Sequence, residues 1–123
     1  ARFSGAPSLD PEVIRLQTRH GLASLVGCGA PTEILRALEL GADAVKLFPA
    51  STMQPSIVRS LHGPLPRAPL VPTGGVDAGN AAAWLAAGAL AVGVGGSLGQ
   101  GSIEEVAART AELITVINSA PGA

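Results

Sequence analysis

The feature that most limits how this chain can fold is a repeat. Glycines that close segments of helical apolar spacing stand at positions 21, 41, 63 and 88, separated by 20, 22 and 25 residues. Each segment follows a short aliphatic run, so a strand, a helix and a glycine stop recur along nearly the whole chain, the pattern of βα units around a parallel sheet. The first strand is expected over Arg2 to Ala6. Asp10, Pro11 and Glu12 then supply an N-cap, a first-turn proline and an acid at the positive helix end, opening a helix to about His20. Strands are expected over 22–28, 42–48, 70–72 and 89–94. Helices are expected over 31–40, with Ile34, Leu35 and Leu38 on one face, and over 54–61 and 77–87. A final helix to about Ile117 is opened by a Ser102–Glu105 capping box. Five βα units result, and they fit two architectures: a five-stranded doubly wound sheet, or five consecutive units of a (β/α)8 barrel.

Composition narrows the function classes. With 47% apolar and 14% charged residues the chain suits one globular domain with a hydrophobic core rather than disorder. A net charge of -1, two Phe and one Trp provide neither a basic field nor a stacking platform, so no nucleic-acid partner is expected. No apolar run reaches the ~18 residues of a membrane span and no leader pattern is seen, so no membrane association is expected and the chain is read as cytoplasmic. Cys28 is the one cysteine, which suits a buried inert thiol and leaves redox or multi-cysteine metal chemistry without support.

The eight basic residues divide into seven arginines and a single lysine, Lys46, inside the apolar run Ala42-Asp-Ala-Val-Lys-Leu-Phe48. A lysine in a buried parallel strand is costly, because desolvation disfavours its charged form and can lower such a pKa by as much as ~3 to 5 pH units. A neutral amine attacks a ketone, and the iminium so formed accepts the electrons of a breaking C–C bond. The competing readings are an amine that snorkels to water and a plain ion pair with Asp43. Two glycine clusters, Thr73-Gly74-Gly75 and Gly93-Val94-Gly95-Gly96-Ser97, follow the last two strands. Glycine lets backbone N–H groups approach a phosphate, and in (β/α)8 barrels the loops after the last two strands commonly do this.

Three motifs, Ala42-Asp-Ala-Val-Lys-Leu-Phe-Pro-Ala50, Val71-Pro-Thr-Gly-Gly-Val76 and Val92-Gly-Val-Gly-Gly-Ser97, together with Pro7-Ser8-Leu9-Asp10 and Pro31-Thr32-Glu33-Ile34-Leu35, resemble the 2-keto-3-deoxy-6-phosphogluconate (KDPG) and 4-hydroxy-2-oxoglutarate aldolases in order and spacing. The resemblance implies a (β/α)8 barrel of TIM type, with this chain covering about strands four to eight as a single domain lacking the first three βα units. It implies a lyase of the Entner-Doudoroff type of carbohydrate metabolism, a class I aldolase that needs no cofactor or metal. Its substrate would be KDPG, or 4-hydroxy-2-oxoglutarate as the second candidate, cleaved to pyruvate and an aldehyde. Lys46 would form the Schiff base, with Phe48 beside the pyruvyl group and Pro7 lining the pocket. Thr73 would contact substrate, favouring the gluconate epimer, and Gly74, Gly75, Gly95, Gly96 and Ser97 would hold the phosphate. A homotrimer follows by the same resemblance.

The chain departs from the family pattern at two places. Ser8 stands where a glycine is usual, and Val26-Gly27-Cys28-Gly29-Ala30 stands where the family has Pro-Gly-x-x-Thr, which removes a threonine contact. The family's general-base glutamate comes from the first three strands. Glu33 and Glu39 match no motif position, and His20 and His62 read as helix-end residues, Trp84 as packing and Glu104–Glu105 as an acidic first turn. Five units of a barrel would leave two raw sheet edges, so a truncated chain or one completed by another polypeptide is expected. The alternative function is a non-catalytic phosphosugar-binding half-barrel.

Overall fold

The computed structural model describes residues 1–120. Its elements are β1 (Phe3–Ala6), α1 (Pro11–Arg19), β2 (Ala23–Cys28), α2 (Pro31–Glu39), β3 (Ala44–Leu47), a 3-10 turn (Ala50–Thr52), α3 (Ser56–His62), β4 (Leu70–Pro72), α4 (Ala81–Ala86) and α5 (Ile103–Ser119). The four strands form one parallel sheet in the order β1-β2-β3-β4. A doubly wound sheet reverses strand order at a switch point. None occurs here, so the units run sequentially, as barrel units do.

The N-caps act as their residue types dictate. Asp10 accepts from the Glu12 N–H at 2.9 Å to start α1. Ser102 and Glu105 exchange both bonds of a capping box at the head of α5, which satisfies donors a helix start otherwise leaves unpaired.

The helices pack on one face of the sheet. Val26, Val45, Leu47 and Leu70 from the strands meet Ile14, Ile34, Ala37 and Val58 from the helices, each nearly or fully buried. Burying a side chain of this size stabilises by about 1.5–3 kcal/mol, so this face supplies the driving force. Leu35 does not join it and is 48% exposed. The inward stripe of α2 is Ile34 and Ala37, and a residue one step along lies ~100° round the helix.

Two expected elements differ. Over 89–94 there is no strand; the segment meets β4 through the Thr73–Gly93 bridge and two bonds, Leu90 N to Leu70 O and Gly93 N to Pro72 O. Pro72 has no N–H to return to the ladder, and three residues span Leu90 to Gly93 where two span Leu70 to Pro72, an offset like that of a bulge. The helix expected from Asp77 begins instead at Ala81. Asp77 turns its carboxylate onto the Gly79 N–H at 2.8 Å, and Asn80 accepts from the Asp77 N–H at 3.0 Å, closing a tight turn in place of a first helical turn. Among the described residues no helix is long and apolar enough to cross a membrane.

Candidate functional site

Strand alternation decides where Lys46 points. Val45 and Leu47 are buried on the helix side, so Ala44 and Lys46 face the other way. Lys46 pairs in register with Gly27 of β2 and Val71 of β4, which places it mid-sheet. It is half-buried rather than enclosed on both sides, because this face carries no helical layer. Its ion-pair alternative is absent: Asp43 accepts from the Ser24 N–H at 2.8 Å and the Ser24 hydroxyl at 3.2 Å. The ion pairs among the described residues are Arg15–Glu12 and Arg36–Glu39. What Lys46 does touch is Phe48, its Nζ lying 4.8 Å from the ring centroid, an attraction of the ammonium for the π face.

Phe48 in turn rests on the first glycine cluster. A Cβ added to Gly74 would lie 3.2 Å from Phe48 Cε2, and one added to Gly75 would lie 2.7 Å from Ser51 Cβ. Both glycines have positive φ, 89° and 78°, a region other L-residues seldom adopt. Thr73 continues β4, donating its N–H to Leu47 O at 2.9 Å and its hydroxyl to Val71 O at 3.1 Å. Lys46, Phe48, Thr73 and Gly74 are thus brought together at the carboxyl end of β3 and β4. Pro7 belongs to the same end, its carbonyl group crowded against Gly27, where any Cβ would collide.

The second cluster meets the first at the Thr73–Gly93 bridge, and beyond it Ser97 donates its hydroxyl to Val76 O at 3.1 Å. Gly95 and Gly96 have no atom within 4 Å of an added Cβ, and neither has positive φ. Among the hydrogen bonds of the described residues, none takes its donor from the N–H of Gly74, Gly75, Gly95, Gly96 or Ser97. The Thr73–Gly93 bridge turns the Gly74 N–H toward Gly93 O, which leaves four amides, those of Gly75, Gly95, Gly96 and Ser97, without a partner on the chain and able to meet an anion.

A groove of about 640 Å³ opens beside this constellation, lined by Pro7, Ser8, Thr32, Glu33, Arg36 and Phe48 among others. Lys46 does not line it, so Phe48 is the side chain the groove and the lysine share. Glu33, which matches no family motif position, accepts from the Gly29 N–H at 2.6 Å and so holds the turn after β2, where the N-cap Ala30 has no side-chain acceptor. Cys28 is buried and unpaired. Burial, with the Glu33 carboxylate adding to it, pushes its thiol up to about 11, in keeping with an inert sulfur. His62 donates through Nε2 to Ala68 O at 3.0 Å, and Trp84 is buried in the core; both act in packing. Sequence reasoning missed Ser51, whose closeness to Gly75 has no local signal, and Glu33, whose i to i+4 spacing from Gly29 was a signal.

Residues 1–116 match the family model described as KDPG and KHG aldolase. The chain belongs to this aldolase family. It is 36% identical over 118 residues to the 2-dehydro-3-deoxy-6-phosphogalactonate aldolase of Escherichia coli (strain K12), covering 93% of this chain and 57% of that protein. It is 37% identical over 87 residues to the 2-dehydro-3-deoxy-phosphogluconate aldolase of Treponema pallidum (strain Nichols), covering 70% of this chain and 41% of that protein. The chain thus spans about half the length of the curated relatives it matches. A solved structure described as native KDPGal superposes with a TM-score of 0.92 at 32% identity, over 98% of this chain and 60% of that one. The fold is part of a TIM-type (β/α)8 barrel, and the open face of the sheet, with Lys46 on it, is the barrel's interior face.

Proposed function

We propose that this chain carries the Schiff-base half of a class I aldolase acting on a 2-keto-3-deoxy-6-phospho sugar acid. The observation that carries the reading is the placing of the chain's single lysine on the interior face, against Phe48, at the end of the sheet where four unpaired amides lie in the Gly75 and Gly95–Ser97 turns. The amine of Lys46 attacks the C2 ketone and water leaves, giving an iminium. The C3–C4 bond then breaks toward the iminium, the C4 hydroxyl proton passes to a base, and the phosphorylated aldehyde departs. The enamine left on Lys46 takes a proton at C3, and water releases pyruvate. Phe48 offers an apolar wall to the three-carbon pyruvyl unit, and Thr73 sits one residue before the phosphate rim. The amides of Gly75, Gly95, Gly96 and Ser97 receive the phosphate. No carboxylate at a family motif position on this chain supplies the base, which the resemblance assigns to the preceding strands.

The same reading makes residues 1–123 a single unit, barrel strands four to eight, in a homotrimeric enzyme. Thr73 supports the gluconate epimer over the galactonate named in the E. coli relative. Borohydride reduction in the presence of pyruvate tests the reaction. The expected outcome is a mass gain on the peptide containing Lys46, abolished by Lys46→Arg. An unlabelled protein that still binds a sugar phosphate would point to the non-catalytic half-barrel instead.

A further inference from the structure

The second half of the rim that would receive phosphate is built on Gly95 and Gly96, where an added side chain would meet open space. Something must nevertheless give residues 95–100 one shape, since free loops lose binding energy to ordering. Leu98 and Gly99 both donate to Gly95 O, at 2.9 and 3.3 Å, forming a single turn. The far end of that turn is held from α5. Arg109 Nη2 donates to Leu98 O at 3.0 Å and also to Gln100 O.

Arg109 stands out in three respects. It is half-buried, and its Nε is fully buried without a partner, a desolvation cost that a solvated arginine avoids. It has no carboxylate within ion-pair distance among the described residues, although Asp77 and Glu112 line the same hollow of about 370 Å³ beneath the loop. Its guanidinium therefore makes no direct ion pair and shares this hollow with Ser97 and Leu98 of the loop. It is also the one basic residue on α5, on the second turn rather than at the C-terminal end where the helix dipole would favour it.

We infer that Arg109 is a positioning residue for phosphate recognition: from α5 it clasps the Leu98–Gln100 backbone, fixes the Gly95-Gly96-Ser97 amides in an anion-binding shape, and sets a positive charge beside them. The inference rests on the proposed phosphate role of this loop and adds the residue that shapes it.

Glycerol 3-phosphate, which has the phosphate but no carbonyl, is the probe. Its binding is measured by calorimetry in the wild-type protein, Arg109→Met and Arg109→Lys, with pyruvate trapping at Lys46 and amide exchange over 95–101 followed in each. Arg109→Met is expected to weaken glycerol 3-phosphate by about tenfold or more, as loss of a charged two-carbonyl donor implies. Pyruvate trapping should stay within about twofold, as for a separate site, while exchange over 95–101 quickens. Arg109→Lys, which keeps the charge but not the fork, should fall between. Unchanged glycerol 3-phosphate binding in Arg109→Met overturns the inference alone. A parallel fall in pyruvate trapping also overturns it, by showing general loss of structure. A wild-type protein that traps pyruvate yet ignores glycerol 3-phosphate overturns the phosphate reading itself, and this inference with it. Failure to trap pyruvate, with glycerol 3-phosphate binding still sensitive to Arg109, leaves the clasp supported and sinks only the Schiff base.

Discussion

The two glycine pairs on the rim share a residue type but not a reason. Gly74 and Gly75 are glycines because the chain demands it: their φ values are positive, and Phe48 and Ser51 occupy the space a side chain would take. Gly95 and Gly96 meet no such demand, with ordinary φ and open space around each. The first pair is explained by folding, and the second calls for something outside the chain. A glycine motif is therefore weak evidence for ligand binding until the intramolecular explanation has been removed, and here it is removed for one pair only.

Substitution separates the pairs. Gly75→Ala should cost most, roughly 3 kcal/mol, since it combines a left-handed backbone with a collision against Ser51; thermal or urea unfolding reads it directly. Gly74→Ala should cost about 1–2 kcal/mol, its clash being with a ring edge that can yield. Because that ring carries Lys46, the same variant should also slow pyruvate trapping. Gly95→Ala and Gly96→Ala should change stability by no more than about 0.5 kcal/mol, yet weaken glycerol 3-phosphate binding. If instead they destabilise as Gly75→Ala does, the contrast between the pairs is lost; if they leave phosphate binding untouched, the second pair has no ligand to explain it.

What the sequence made legible was local. The recurrence of strand, helix and glycine gave the parallel sheet, and Asp10 and Ser102 announced their helices because a cap is written within four residues. Lys46 could be singled out because it is the only lysine and sits inside the apolar run Ala42–Phe48, whereas the face it takes on the sheet emerged only from the fold. The missing fifth strand was less visible: 89–94 has the apolar look of a strand, and its failure depends on Pro72, in another element, lacking a donor. Leu35 misled because an apolar residue beside the inward stripe reads like part of it. Ser51 and Arg109 lay beyond reach, since each acts on backbone that only folding brings near.

The sheet pairs each strand only with its neighbour in the chain, and every group assigned to carbonyl or phosphate chemistry, apart from Pro7, falls between residues 46 and 97. On that reading, such a site would pass between genes as one uninterrupted stretch. On the proposed roles, a crossover upstream of β3 would exchange everything before it, including the proposed source of the base and much of the pocket wall, while handing on the proposed nucleophile and anion cradle intact. Modular descent of that kind would let new sugar acids be tried without reinventing the bond-breaking apparatus.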